Sequence, residues 1–90
     1  MLKPTYTTKF NRDTERVTKR GKDTTKLRSI IGLLLNESPL PAKCHDHALK
    51  GDLFGCRDCH IEPNWILIYA VSNGELVLYR TGTHSDILNK

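Results

Sequence analysis

The chain has 90 residues, a length that predicts one domain over residues 1–90 with a single modest hydrophobic core. It contains neither an apolar run long enough to span a membrane nor the apolar centre of a secretory signal, so we expect a cytoplasmic protein with three reduced cysteines. The net charge of +4 is uneven, because residues 1–28 carry nine Lys or Arg and three acids whereas residues 29–90 carry five and seven. A basic N-terminal third is compatible with binding RNA, with binding an acidic protein and with an ordinary solvated surface.

The first part of the chain predicts a strand followed by two helices. Residues 2–7 are rich in β-favouring side chains, and residues 8–20 carry a thin apolar stripe typical of a surface helix. The second helix begins at Asp23 or Thr24 and ends at Asn36, and its short link to the first predicts an antiparallel helical hairpin. Its apolar positions have the spacing of an amphipathic helix: Leu27, Ile30, Ile31, Leu34 and Leu35.

The remainder of the chain predicts a loop followed by three strands. The Asn73-Gly74 pair is a strong hairpin signal between the last two strands, because both residues tolerate positive φ. The order β-α-α-β-β-β indicates an α+β fold in which the helical hairpin packs on a small antiparallel sheet. The predicted elements are a loop at residues 37–52, strands at 54–61, 65–71 and 75–81, and a short helical turn at 84–88.

This strand order brings chemically useful side chains together. The end of the strand at residues 75–81 lies beside the start of its partner, so Arg80 and His84 should approach Asn64 and Trp65, with His60 nearby. In the same prediction, Arg80 shares a face with the apolar side chains of its own strand. We therefore expect a functional site at this end of the sheet.

Cleavage of RNA by its own 2′ hydroxyl suits such a set of residues. The reaction needs a base, an acid and a cation that stabilises the extra charge on phosphorus. Histidine titrates near neutrality and can serve as base and acid, and His47, from the preceding loop, adds a further candidate. Arginine matches phosphate geometry, and an aromatic ring such as Trp65 can stack on a base.

A zinc module is an alternative reading of the cysteines. Cys44, His47, Cys56 and Cys59 could form a tetrahedral set, because pairs of ligands at short spacing are usual in structural zinc sites. Only Cys56 and Cys59 have standard half-site spacing, so we favour three small, partly buried thiols.

Three segments together resemble the YafQ branch of the RelE/ParE toxin superfamily. They are residues 46–51, residues 57–69 and residues 80–85, and the similarity covers nearly the whole chain, including the helical hairpin. The resemblance implies the toxin of a type II toxin–antitoxin pair. Such toxins are mRNA endoribonucleases that act at the ribosome, are silenced by a cognate antitoxin, and need neither a metal nor a small-molecule cofactor.

The resemblance also implies roles for particular residues. His47 and His60 match histidines of the family motifs, Arg80 matches the arginine that stabilises the phosphate, and His84 matches the general acid. Trp65 matches the aromatic beside the acidic position. The first segment contributes Lys50, which we expect to bind substrate, and His45 is left without a role.

Two positions depart from the family pattern. Asn64 stands where the family usually has Asp, and an amide cannot accept a proton as a carboxylate can. The base is therefore His47 or His60, or else the protein has the toxin fold and binds its target with weak or no cleavage. Leu88 stands where the family often has a Phe that binds substrate by stacking.

Overall fold

A computed structural model describes residues 1–88, and at Leu88 the backbone alone. Within those residues the chain forms three α-helices and five strands, which hydrogen-bond in one sheet. In chain order the elements are β1 (Lys3–Tyr6), α1 (Thr8–Lys19), α2 (Thr24–Leu35), β2 (His47–Ala48), β3 (Arg57–Glu62), β4 (Trp65–Ser72), β5 (Glu75–Gly82) and α3 (His84–Leu88). The spatial order β1-β5-β4-β3-β2 confirms the predicted α+β class.

The sheet is mixed rather than wholly antiparallel. Strands β2 to β5 pair antiparallel, but β1 pairs parallel to β5, from Lys3 opposite Glu75 to Tyr6 opposite Leu78. The prediction of an antiparallel sheet is therefore wrong for this edge strand. The physical reason is that β1 and β5 are far apart in the chain, with two helices and the other three strands between them, and so long a connection allows two strands to run the same way.

The helices begin at side-chain caps. The Thr7 hydroxyl accepts a hydrogen bond from the Phe10 amide at 3.0 Å, and the Asp23 carboxylate accepts one from the Thr25 amide at 3.0 Å. Each cap satisfies one of the amides that lack a partner in the first turn of a helix. Asp23 is thus the N-cap of α2, one of the two predicted residues.

The two long helices run in opposite directions, as predicted. Helix α1 follows β5, since its cap Thr7 bonds to Tyr79 and Arg20 at its other end bonds to Asp86. Helix α2 starts beside Glu62, which contacts Lys26, and ends where the Leu35 carbonyl accepts from the amide of Leu2. The helices face one another across a groove of about 430 Å³.

The core lies between the helices and one face of the sheet. Strand β4 is the best covered element, since the side chains of Trp65 to Tyr69 are all buried, whereas Val71 near its end is 51% exposed. Fully buried side chains of β3, β4 and β5 meet buried side chains of the helices. The central members of the core are Phe10, Val17, Leu27, Cys59, Leu67, Leu76 and Leu78.

Strand β3 begins later than predicted. Residues 51–53 form a 3₁₀ turn, Gly55 has a φ of 94°, and Phe54 is 85% exposed, so regular pairing starts only at Arg57. The preceding segment, predicted as a loop, supplies the short strand β2, in which His47 pairs with Asp58. Local sequence gives little signal for a two-residue strand, because its stability comes from its partner.

A β-bulge sets the direction of the C-terminal residues of β5. Ile68 pairs with Arg80 but the next residue, Tyr69, pairs with Leu78, so β5 holds one extra residue at Tyr79. The extra residue reverses the alternation, and Thr81 joins Leu78 on the core side. The prediction that Arg80 shares a face with the apolar residues of β5 is wrong for this reason.

Candidate active site

The register aligns candidate residues on the sheet face opposite the helical core. Antiparallel partners share a face, and His47, Asp58, Ile68 and Arg80 follow one another across β2, β3, β4 and β5. Four consecutive strands therefore contribute one side chain each to a single line.

A second line runs parallel to the first. It contains His60 of β3, Ile66 of β4 and Gly82 of β5, and helix α3 starts two residues later at His84. The sheet thus delivers His60 and His84 to the same end, as the sequence predicts. Their ring centroids lie 5.4 Å apart.

His60 is oriented by the backbone of the loop before β2. Its Nδ1 lies 3.3 Å from the carbonyl oxygen of Cys44, which can only accept a hydrogen bond. Nδ1 therefore carries the hydrogen and the lone pair of the neutral ring is on Nε2. Since the side chain is only half-buried, Nε2 is the nitrogen available as a base.

His84 is oriented by Asn64. The side-chain oxygen of Asn64 accepts from the backbone amide of His84 at 3.3 Å and from its Nδ1 at 2.8 Å. The hydrogen bond from the backbone N–H of His84 identifies this Asn64 atom as the oxygen rather than the nitrogen, because a backbone N–H requires an acceptor. His84 consequently presents Nε2, and Asn64 holds the ring without bringing a negative charge to it.

His47 is oriented in a third way. Its Nδ1 lies 2.8 Å from the carbonyl oxygen of His45, and its Nε2 lies 3.9 Å from a carboxylate oxygen of Asp58. The other oxygen of Asp58 is buried and has no hydrogen-bond partner among the described residues. A buried carboxylate thus faces the His47 ring, and Asp58 was given no role from sequence.

Three imidazoles form a histidine row, which we define as His45, His60 and His84. His45 lies edge-on to His60 with centroids 5.9 Å apart, so His60 is the middle member. Sequence reasoning missed His45, and its position depends on a positive φ of 47° that no local motif reveals.

Arg80 is held by a buried carboxylate. Asp13 of α1 is 1% exposed and receives the Arg80 Nε at 2.6 Å and Nη2 at 3.0 Å. It also accepts from the Thr81 amide at 3.2 Å and from Arg16 at 3.1 Å. The hydrogen bond from Arg80 to Asp13 raises the pKa of the guanidinium above its ordinary value, so Arg80 is a fixed cation.

A basic surface surrounds this pair. Lys9, Arg12 and Arg16 of α1 line a shallow depression of about 160 Å³ together with Arg80 and Asp13. Within residues 1–88, Lys9 and Arg12 have no hydrogen-bond or ion-pair partner, so their charges are available. The charged N-terminal third of the sequence therefore meets the candidate site at Arg80.

Trp65 does not fit its predicted role. The side chain is 0% exposed, and its indole N–H donates to the Thr81 hydroxyl at 2.9 Å. The predicted stacking of Trp65 on substrate is therefore wrong, because a ring inside the core cannot reach a base. Its bond to Thr81, whose hydroxyl in turn donates to the Ile66 carbonyl at 2.9 Å, instead fixes the end of the sheet.

The start of α3 is closed by a reciprocal cap. The Thr83 hydroxyl accepts from the Asp86 amide at 3.1 Å, and Asp86 accepts from the Thr83 amide at 3.0 Å. Arg20 adds two bonds to Asp86, at 2.6 and 3.1 Å, and these bonds lower the pKa of this carboxyl well below its ordinary value. His84 thus sits on a turn fixed at two points.

Two predicted substrate residues remain predictions. Lys50 is exposed and precedes the 3₁₀ turn at Gly51–Leu53. Leu88 ends α3, and its side chain lies outside the described residues.

The alternative zinc set is not assembled. Among residues 1–88 no group of three or more His, Cys, Asp or Glu side chains is arranged to hold a metal ion. Cys44 and Cys59 are buried, and burial raises the pKa of both thiols, which disfavours the thiolate that zinc requires. His47 is turned towards Asp58.

Comparison with known families identifies the group to which this arrangement belongs. A family model described as a bacterial toxin of a type II toxin–antitoxin system, YafQ, matches residues 2–89. The chain belongs to this family. An mRNA interferase toxin YafQ from Escherichia coli K12 is 44% identical over 83 residues, which cover 91% of this chain and 90% of the relative.

Solved structures agree with the family assignment. A copper-bound mutant toxin from Helicobacter pylori matches with a TM-score of 0.92 and 38% identity over 97% of this chain and 99% of that one. The toxin in an Escherichia coli DinJ-YafQ complex matches with a TM-score of 0.90 and 41% identity, covering 97% and 98%. The predicted family and fold, and with them membership of a family of mRNA-cleaving toxins, are confirmed. No helix of residues 1–88 has the length and apolar character needed to cross a bilayer.

Proposed function

We propose that this protein is a ribosome-dependent mRNA endoribonuclease in which His60 is the general base and His84 the general acid. The observation that supports this proposal is the pairing of two imidazoles 5.4 Å apart. Each has its Nδ1 bonded to an oxygen acceptor, so each presents Nε2. The reaction requires one group that removes a proton and one that donates a proton, and two histidines that both present Nε2 can supply them.

The proposed reaction is an in-line displacement at phosphorus. Nε2 of His60 removes the proton of the 2′ hydroxyl, and the 2′ oxygen forms a bond to phosphorus. The bond from phosphorus to the 5′ oxygen breaks, and Nε2 of protonated His84 gives that oxygen its proton. The products are an RNA end with a 2′,3′-cyclic phosphate and an RNA end with a 5′ hydroxyl, and neither a metal nor a cofactor takes part.

Arg80 and His47 assist from the adjoining line of side chains. Arg80 is a fixed cation on the same sheet face and stabilises the negative charge that develops on the phosphate oxygens. His47 lies at the other end of that line, 3.9 Å from the carboxylate of Asp58, and in this proposal it contacts the phosphate rather than serving as the base. For the base that the sequence left open between His47 and His60, we therefore propose His60.

The presence of Asn64 in place of the family's Asp is compatible with cleavage and does not limit the protein to binding. A carboxylate would be needed at position 64 if this residue were the base. In this protein the side-chain oxygen of Asn64 instead accepts two hydrogen bonds from His84. We infer that Asn64 positions the acid, and that the protein cleaves without a carboxylate there.

The proposed partners are the ribosome, its mRNA and a cognate antitoxin. The unpaired charges of Lys9 and Arg12 beside Arg80 suit an RNA backbone, and the action on translating ribosomes places the protein in the cytoplasm. An antitoxin is proposed because the related toxin is found in a complex with DinJ.

Substitution of each histidine tests the assignment. With mRNA on purified ribosomes, we expect His84→Ala and His60→Ala each to lower single-turnover cleavage by about 100-fold or more while circular dichroism stays unchanged. The wild-type rate should rise and then fall with pH, the acid limb should vanish in His60→Ala, and the alkaline limb should vanish in His84→Ala. Cleavage at the wild-type rate by either folded variant would remove that residue from the mechanism.

A further inference from the structure

A cavity of about 590 Å³ adjoins the histidine row, and two members of the row, His45 and His60, line it. Its walls include His45, His60, Ile61, Pro63 and Lys43. Its volume falls within the range of pockets that bind small organic groups, which is about 300–1,000 Å³. The cavity thus borders the residue that is proposed to remove the 2′ proton.

The backbone of His45 is arranged to present its ring to this cavity. The residue ends the 3₁₀ turn at Ala42–Cys44 with a φ of 47°, a left-handed conformation uncommon for residues other than glycine. The same conformation lets its carbonyl accept from His47 and turns its exposed imidazole perpendicular to that of His60. Uncommon backbone conformations of this kind concentrate at functional sites.

The charges around the cavity favour a base over a phosphate. Lys26 and Glu62 are paired at 2.9 Å, and Lys22 occupies the other oxygen of Glu62 at 2.9 Å. Lys43 is the one lining cation without a partner within residues 1–88. A flat ring with polar edges would find an imidazole to stack on, the apolar side chains of Ile61 and Pro63, and one donor in Lys43.

We propose that His45 forms, with Ile61, Pro63 and Lys43, a subsite for the nucleobase of the nucleotide whose 2′ hydroxyl attacks. The proposal rests on the proposed function, because that function makes His60 the base. The 2′ hydroxyl belongs to the nucleotide on the 5′ side of the scissile phosphate, and the leaving oxygen belongs to the next nucleotide. With His60 between His45 and His84, the 5′ nucleotide lies towards His45.

The subsite also supplies a stacking ring in place of the two positions, 65 and 88, at which the family resemblance implied one. Trp65 is buried in the core, and residue 88 is Leu. Imidazole rings stack on unpaired RNA bases as other aromatic side chains do. His45 thus supplies a contact that the sequence assigned to Trp65.

The experiment measures binding with cleavage blocked. Ribosomes carry an mRNA whose attacking nucleotide is 2′-deoxy, with its base either present or removed, and the affinity of the toxin is measured by filter binding. We expect removal of that base to weaken wild-type binding by about tenfold, since stacking on one base is worth roughly 1–3 kcal/mol. His45→Ala should weaken binding to the intact mRNA equally, and His45→Phe should restore it.

A double-mutant cycle decides whether ring and base touch. We expect His45→Ala to have no further effect once the base is absent, because the two changes remove one contact. Removing the base of the nucleotide on the 3′ side is the matched control, and its effect should multiply with that of His45→Ala. His45→Phe should also keep the wild-type pH profile of cleavage, since the role proposed for His45 involves no proton transfer.

Several outcomes would overturn the subsite. The first is that wild-type affinity for the mRNA does not change when the 5′ base is removed. The second is that the effects of base removal and of His45→Ala on affinity multiply. The third is that His45→Phe binds the intact mRNA as weakly as His45→Ala. The base-removal comparison uses wild-type protein, so it holds even if His45→Ala fails to fold. Base-dependent binding by a wild-type protein that never cuts would sink the proposed function alone, whereas cutting without base dependence would sink the subsite alone.

Discussion

Two members of the histidine row, His60 and His84, and the Arg80–Asp13 pair are all held in place by hydrogen bonds, but the acceptors differ in charge. A backbone carbonyl oxygen orients His60, and a neutral amide oxygen orients His84. Arg80, by contrast, is bound at two nitrogens by a buried carboxylate. The charge of the acceptor corresponds to the role proposed for each group.

A histidine that donates or accepts a proton must change its charge during one turnover. A neutral acceptor fixes the tautomer and the orientation without strongly favouring either charge state, whereas a carboxylate favours the charged form. An arginine that stabilises phosphate must stay charged, and a carboxylate suits that role. Exchanging neutral and charged acceptors between the two regions should therefore impair each in a different way.

The largest effect is expected from Asp13→Asn. The amide cannot accept from Arg80, Arg16 and Thr81 together, so the free energy of unfolding should fall by about 3 kcal/mol. Arg80 should lose its fixed position, and cleavage below the melting temperature should drop by about 100-fold. Glu15→Gln, an exposed acid on the same helix, is the matched control and should leave thermal melting and rate unchanged.

A stable Asp13→Asn variant with the wild-type rate would break the comparison on the arginine side. It would mean that Arg80 needs no carboxylate to stay in position.

A smaller effect is expected from Asn64→Asp, which gives the acid histidine a charged acceptor. The carboxylate favours protonated His84, so the fall in rate at alkaline pH should move upward by about one pH unit. At neutral pH the rate should change only a few-fold, because a better-populated acid is also a weaker one. The measurement is the pH dependence of single-turnover cleavage, with Asn11→Asp on the surface of α1 as the control for added charge.

Cleavage that begins only in Asn64→Asp would favour the binding-only alternative. If the rate of Asn64→Asp falls at the same alkaline pH as that of the wild type, the charge at position 64 has no effect on His84.

The smallest effect is expected at the cap of α3. Asp86→Ala removes a reciprocal cap and the ion pair with Arg20, so stability should fall by about 1 kcal/mol and cleavage by two- to threefold. Asp52→Ala, an exposed acid without a partner among residues 1–88, is the control.

The same cap predicts a sensitivity to acid. The folded-state pKa of Asp86 is lowered, so its stabilising effect is complete above the ordinary carboxyl pKa of about 4 and is lost as the pH falls below it. The stability of Arg20→Ala should consequently fall less steeply than that of the wild type between about pH 4 and pH 2. Parallel slopes in urea melts at these pH values would contradict this.

Much of the fold was predictable because its signals are local. The apolar spacing of α2, the cap at Asp23 and the turn at Asn73-Gly74 each depend on residues close in sequence, and the structure has all three. The pairing of His84 with Asn64 followed from hairpin geometry alone. The direction of β1 and the two-residue strand β2 were not predictable, since both depend on partners far along the chain.

The sequence by itself determined the family, the α+β class and the end of the sheet at which His60 and His84 meet. Tertiary structure alone decided which of these side chains are usable. An extra residue in β5 turned Arg80 away from the core, burial removed Trp65, and a left-handed residue brought His45 beside His60. Side-chain direction depends on register and packing, which are set by contacts between distant segments, and no local pattern carries that information.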